Sequence, residues 1–243
     1  MKNRKYYRTI LVLFSVIFVF LVVSKQEEIQ TTISKAMVNP ENVSIVKPLS
    51  FTSGKAKALL ESGNKRFVDG KLAKKDLGIE RRKQLVAGQY PFAIIVCCSD
   101  SRVPPEIIFD QGLGDLFVVR VAGNVVGKIE IGSVEYGVEY LKVPLVVVLG
   151  HQNCGAVEAT IKEGEANYNI GAIVKKIMPS FEKVRAEGFK GEELLEQTIN
   201  QNIISVTNTL QRDLLLKTAI EEGKLKVVGA KYDLTSGKVD WFN

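Results

Sequence analysis

Residues 92–98 form the run Phe92-Ala93-Ile94-Ile95-Val96-Cys97-Cys98, in which every side chain is apolar. Leu145-Val146-Val147-Val148-Leu149 repeats this pattern, and similar runs lie at 116–119 and 225–230. Runs that stay apolar instead of alternating are typical of strands buried on both faces of a parallel sheet. Helical spacing of apolar residues predicts helices over 53–68, 79–85, 131–141, 156–163, 170–186 and 192–222. The sequence therefore predicts an α/β domain with a mostly parallel central sheet flanked by helices, closed by a hairpin over 232–242.

The first 24 residues differ in composition from this predicted domain. Four basic residues lie among the first eight, and residues 10–23 are apolar except for Ser15. At about 1.5 Å per residue this run spans roughly 21 Å, which is less than the roughly 30 Å hydrocarbon core of a membrane. It favours a signal peptide over a retained membrane anchor for residues 1–24, with a polar linker over 25–50 and the catalytic domain over 51–243. Either form of the leader predicts an exported protein, periplasmic or extracellular.

The charge of the chain gives no indication of a nucleic-acid partner. The formal net charge of the 243 residues is +6, and the four basic residues near the start reduce the remainder to +2. A domain with so little excess charge and no basic run interleaved with aromatic residues lacks the electrostatic surface that a polyanion requires. We expect no nucleic-acid partner, and membrane contact only through an uncleaved N-terminal segment.

Two of the predicted strands end in chemically reactive sequences. The first continues as Cys98-Ser99-Asp100-Ser101-Arg102, and the strand at 145–149 continues as Gly150-His151-Gln152-Asn153-Cys154-Gly155. Functional groups collect beyond the carboxyl ends of parallel strands, so these segments are expected to meet. One cysteine of the first segment, with His151 and Cys154, would give a Cys₂His set that leaves the fourth position of a zinc ion open, as in catalytic sites.

Simpler interpretations stay open at this point. Each cysteine could be a core residue, because free cysteine is among the most buried residue types. Cys98 and Cys154 could form a disulfide in an exported protein. Asp100 and Arg102 could be a structural ion pair. The zinc site is favoured because the only histidine of the chain lies three residues from a cysteine.

The two segments together resemble the C-x-D-S-R and H-x-x-C motifs of the β-class carbonic anhydrases. The similarity extends over about 51–243 and includes 115–120, 122–124 and 133–136. It implies a Zn²⁺ ion held by Cys98, His151 and Cys154, and reversible hydration of carbon dioxide to bicarbonate and a proton. In the implied mechanism, zinc-bound hydroxide is oriented by the dyad Asp100 and Arg102. Because the motif selects Cys98 and adjacent strand residues face opposite sides, Cys97 should face the core.

The same resemblance implies a substrate pocket shared by two chains. Gln89 matches a donor to a substrate oxygen, Phe117 and Tyr136 match apolar walls, and the Gly155 amide lies next to a metal ligand. In related enzymes the first three meet across a dimer interface, so we expect a homodimer or higher homo-oligomer. Ile95 replaces a tryptophan that some members use to bind bicarbonate, so we expect water and not Asp100 as the fourth zinc ligand.

Two other functions remain possible for such a sequence. The same site could hydrolyse small sulfur analogues such as carbon disulfide. Alternatively, zinc could support folding of a non-catalytic assembly protein.

Overall fold

The computed structural model describes Lys25 and residues 51–164 and 167–242. Apart from Lys25, the predicted leader and linker lie outside these ranges and stay predictions. Within the described ranges no helix combines the length and the apolar character needed to cross a membrane.

The described chain alternates helices and strands. In order, it forms α1 (Ser53–Val68), α2 (Ile79–Val86), β1 (Ala93–Cys97), α3 (Pro105–Ile108), β2 (Leu116–Arg120), a 3₁₀ turn (Ala122–Asn124), α4 (Lys128–Glu139), β3 (Leu145–His151), α5 (Gly155–Glu163), α6 (Ile170–Ala186), α7 (Gly191–Arg212), α8 (Leu214–Glu221), β4 (Lys226–Tyr232) and β5 (Val239–Trp241).

The five strands form one sheet in the order β2-β1-β3-β4-β5. The first four are mutually parallel, and β5 pairs with β4 in the antiparallel sense. In this register Cys97 lies opposite Arg120 on one side and Leu149 on the other, while His151 lies opposite Tyr232. The parallel sheet and the closing hairpin predicted from the sequence are confirmed, and the carboxyl ends of β1 and β3 lie at one edge.

The sheet has two buried faces with separate cores. We call the first the site face; it holds Ile94, Val96 and Cys98 and is covered by α4 to α8. The second, the far face, holds Ile95 and Cys97 and is covered mainly by α1 and α3. The expectation that Cys97 faces the core is confirmed, because Cys97 and Cys98 lie on opposite faces.

The helix predicted over 192–222 is wrong in one respect, because the structure divides it into α7 and α8. Asp213 has extended backbone angles, with φ −60° and ψ 139°, and its carboxylate accepts hydrogen bonds from Leu215 and Leu216 at 3.1 and 3.2 Å. An aspartate in this position is an N-cap that starts a new helix. The apolar period continues through the break, so the sequence pattern alone did not reveal it.

Candidate metal centre

Three potential ligands converge at the carboxyl ends of β1 and β3. Cys98 follows the last residue of β1, His151 is the last residue of β3, and Cys154 is the N-cap of α5. Their ligand atoms all lie within 4.8 Å of one another, and all three residues are buried. Every cysteine of the chain is a free thiol, so Cys98 and Cys154 do not form a disulfide in this structure.

The imidazole of His151 is oriented by its own turn. Its Nδ1 atom lies 2.9 Å from the carbonyl oxygen of Gln152, so Nδ1 carries the proton and Nε2 keeps a free lone pair. Nε2 is buried and has no hydrogen-bond partner among the described residues. A buried nitrogen without a partner is costly, and a metal-bound histidine characteristically donates its other N–H to a carbonyl or carboxylate. Two thiols and this nitrogen therefore fit zinc as a donor set.

Neighbouring groups shift the pKa values of Cys98 and Cys154 in opposite directions. The neighbouring Cys154 thiol, with His151, lowers the pKa of Cys98 against the opposing effect of burial. The backbone N–H of Gly123 donates to Cys98 Sγ, at 3.2 Å. The neighbouring Cys98 sulfur, together with burial, raises the pKa of the Cys154 thiol. The Cys98 thiol therefore ionises more readily than the Cys154 thiol, and a bound cation would favour the thiolate form of both.

Asp100 and Arg102 form a closely joined pair beside this cluster. Arg102 donates from Nε to Oδ1 at 3.0 Å and from Nη2 to Oδ2 at 2.8 Å, and its backbone N–H donates to Oδ1 at 2.9 Å. The side-chain bonds from Arg102 lower the pKa of Asp100 to about 2. Oδ2 of Asp100 lies 3.9 Å from Nε2 of His151. A carboxylate with a lowered pKa therefore borders the candidate metal position.

Arg120, at the end of β2, holds the turn that carries Cys98 and Asp100. Its Nε donates to the carbonyl oxygen of Cys98 at 3.1 Å, and its Nη2 donates to that of Asp100 at 2.6 Å. Two backbone carbonyls of one turn are thereby fixed to the neighbouring strand. This contact of Arg120 was not predicted from the sequence, in which only the place of Arg120 after a predicted strand indicates it.

Within one chain the structure separates three of the predicted substrate residues from the cluster. Gln89 is exposed in the loop that precedes β1, at the opposite end of the sheet. Phe117 lies opposite Ile94, four residues before Cys98, which corresponds to about 13 Å along the strand. Tyr136 packs on Phe117, with ring centroids 6.2 Å apart. Only Gly155, the first residue of α5, adjoins a candidate ligand.

A buried contact behind Cys98 was likewise not predicted from the sequence. Gly123 appeared only in the motif 122–124, yet its N–H reaches the Cys98 sulfur. Asn202, on α7, donates from Nδ2 to the carbonyl oxygen of Gly123 at 2.8 Å. The one available signal was a polar residue within the apolar stripe of a predicted helix.

The chain is similar to known carbonic anhydrases over most of the described domain. A family model described as carbonic anhydrase matches residues 93–239. A carbonic anhydrase of Mycolicibacterium smegmatis is 42% identical over 186 residues, which cover 74% of this chain and 89% of the relative.

Solved structures agree with this similarity. The β-carbonic anhydrase CcaA has a TM-score of 0.64 and 26% identity, with coverage of 77% of this chain and 95% of its own. A match with a TM-score of 0.61 and 25% identity, covering 67% of this chain and 85% of its own, comes from work on two tetrameric β-carbonic anhydrases of Sordaria macrospora. Family match, sequence identity and fold lead to the same conclusion: the chain belongs to the β-carbonic anhydrase family.

Proposed function

We propose that this protein catalyses the reversible hydration of carbon dioxide to bicarbonate and a proton, with zinc held by Cys98, His151 and Cys154. The observation that carries the proposal is the buried cluster itself, in which three ligand atoms lie within 4.8 Å and His151 Nε2 lacks any other partner among the described residues. When bound, zinc acts as a Lewis acid that lowers the pKa of a water ligand toward about 7.

The residues around the cluster would orient the attacking water. Asp100 is charged at every physiological pH because Arg102 lowers its pKa to about 2, so its carboxylate can only accept a hydrogen bond. By accepting a hydrogen bond from this water, Asp100 would direct a lone pair of the water oxygen toward carbon dioxide. Both Asp100 oxygens are engaged by Arg102, which favours the open form of the site in which Asp100 is not a ligand.

Metal content and carbon dioxide hydration of the purified protein test this proposal together. Asp100→Asn should retain zinc and lower kcat by about 10²- to 10³-fold, because the orienting acceptor is lost. Asp240→Asn is the matched control, since Asp240 is exposed on the opposite edge strand β5. Stopped-flow hydration assays and metal analysis of each variant provide the measurement.

Three outcomes would reject the proposal. Hydration near the background rate with zinc bound would reject the enzyme activity. Faster turnover of carbon disulfide than of carbon dioxide would change the substrate class. Full activity of Asp100→Asn would reject the orienting role of the carboxylate.

The substrate pocket is proposed to be completed by a second copy of the chain. β2 is an edge strand, and the aromatic residues beside it are exposed, Tyr136 by 46% and Tyr140 by 73%. Pairing of two β2 edges about a two-fold axis is antiparallel, so the start of one strand lies beside the end of the other. Gln89, Phe117 and Tyr136 of one copy would then approach Cys98 of its partner, which supports a homodimer or a higher assembly of such dimers.

Subunit complementation tests the shared pocket. An Asp100→Asn chain and a Gln89→Ala chain are coexpressed with different tags, and the mixed dimer is purified over both. If Gln89 acts across the interface, one site of the mixed dimer is intact, and about half of the wild-type activity is expected. If Gln89 acts within its own chain, neither site is intact and the mixed dimer stays as weak as its parents.

Export is proposed from the sequence of residues 1–24. N-terminal sequencing of the mature protein is expected to begin close to Lys25. Retention of Met1 in a membrane fraction would instead identify the segment as an anchor.

A further inference from the structure

A backbone amide from outside the ligand segments reaches the Cys98 sulfur. Gly123 has φ +69°, a left-handed conformation that side chains disfavour, and a Cβ atom there would lie 2.8 Å from Cδ1 of Ile177. The absence of a side chain therefore lets this backbone fit between α6 and the site, with its N–H 3.2 Å from Cys98 Sγ.

Asn202 binds the carbonyl oxygen of Gly123, the residue whose N–H donates to Cys98. Its side chain is 1% exposed, and its Nδ2 donates to the carbonyl oxygen of Gly123 at 2.8 Å, across 79 residues of sequence. Its Oδ1 has no hydrogen-bond partner among the described residues. An unpaired buried carbonyl is unfavourable, whereas an aliphatic residue would extend the apolar stripe that includes Ile199 and Ile203. Helix packing alone does not explain an amide here, but the bond to Gly123 does.

Two glycines of the sheet bring α7 close enough for this contact. A Cβ atom at Gly150 would lie 2.5 Å from the Ile203 side chain, and one at Gly229 would lie 2.8 Å from it. Ile203 therefore packs directly on the backbone of β3 and β4. The adjacent Asn202 is carried to the level of the metal cluster, because Gly150 immediately precedes His151.

We propose that Asn202 is a positioning residue for the metal centre, which acts through Gly123 on the ligand sulfur of Cys98. By fixing Gly123 it aims the N–H at the sulfur, and this hydrogen bond withdraws electron density from the thiolate and limits its rotation. The inference rests on the proposed function, since it presupposes a metal at Cys98, His151 and Cys154. Partners of metal ligands characteristically change metal affinity or activity by about 10- to 100-fold when they are removed.

The test compares zinc affinity and the cobalt spectrum of three full-length proteins. They are the wild type, Asn202→Leu and the control Thr207→Val, which lies on the same helix, is 9% exposed and has no hydrogen bond from its Oγ1 among the described residues. Zinc affinity is measured by competition with a chromophoric chelator. In Asn202→Leu we expect affinity about 10- to 100-fold weaker and a sulfur-to-cobalt charge-transfer band at longer wavelength. Thr207→Val should match the wild type in both.

The outcomes separate this inference from the proposed function. Wild-type protein that binds neither metal would overturn the proposed metal centre. If the wild type binds zinc and Asn202→Leu is unchanged in affinity and spectrum, only the role of Asn202 is overturned. Equal changes in Thr207→Val would also overturn it, because the effect would then be one of general packing. If Asn202→Leu does not fold, Asn202→Ser, too short to reach Gly123, is subjected to the same two measurements and the same criteria.

Discussion

The site face and the far face of the sheet meet at two adjacent cysteines with opposite chemistry. Cys97, on the far face, is 0% exposed within the second apolar cluster, and burial raises its pKa to about 12. Cys98, on the site face, is nearly as buried at 5%, yet the neighbouring Cys154 thiol, His151 and the Gly123 N–H lower its pKa. Because the two thiols are similarly buried, the polar groups around each sulfur account for the opposite directions of their pKa shifts. The far face stabilises the sheet, and the site face adds donors to an equally apolar core.

Substitution of each cysteine in turn tests this comparison most directly. Cys98→Ser should lose zinc and about 10³-fold or more in kcat/KM, because the Lewis acid contributes several kcal/mol to the reaction. Cys97→Ala should keep zinc and turnover, and lower the free energy of unfolding by about 1 kcal/mol through lost burial. Metal analysis, hydration assays and urea unfolding measure the three quantities. Normal zinc content in Cys98→Ser would contradict the division between the faces.

Removal of zinc should affect the two faces unequally. The three candidate ligands come from two distant segments, so the metal joins the ends of β1 and β3. A ligand present at 100 to 1,000 times its Kd contributes about 3–4 kcal/mol, so chelation should lower the melting temperature by roughly 5–15 °C. Cys98 and Cys154 should then react with a thiol reagent, whereas Cys97 should stay protected until the domain unfolds.

The pH dependence of labelling provides the control for this experiment. An ordinary thiol loses about a hundredfold of its thiolate between pH 8 and pH 6. The pKa of Cys98 is lowered, so its labelling in metal-free protein should decline much less over this interval. Peptide mapping after brief labelling distinguishes the sites. Unchanged melting and no new labelling after verified zinc removal would show that the metal does not stabilise this edge.

The sequence predicts the buried strands of both faces, but it does not predict the polar contacts that surround the site. The apolar runs predicted the buried strands, and parallel strands necessarily place their carboxyl ends together, so the meeting of Cys98 with His151 and Cys154 could be expected. The contacts made by Arg120 and Asn202 could not. They join segments 20 to 79 residues apart, and hydropathy indicates which face of an element is buried but not the partner that it meets.

The smallest expected effect concerns release of the proton that each turnover produces. Among the described residues, neither face of the sheet offers a second imidazole to accept this proton. His151 is the only histidine of the chain, and its Nδ1 is engaged by the Gln152 carbonyl oxygen. Asp100, with a pKa of about 2, is too weak a base to carry a proton at neutral pH. Each turnover must nevertheless release one proton, and imidazole, with a pKa near 6.5, accepts protons efficiently at neutral pH. We therefore expect kcat to rise several-fold as an imidazole-type buffer is added at fixed pH and ionic strength, while kcat/KM, which does not include proton release, stays constant.

Ser99→His would place an imidazole on the exposed residue beside Asp100 and should make kcat less dependent on buffer, with Ser99→Ala as its control. A wild-type kcat that stays flat from sparse to abundant buffer would show that proton release does not limit the rate, and Ser99→His would then give no advantage.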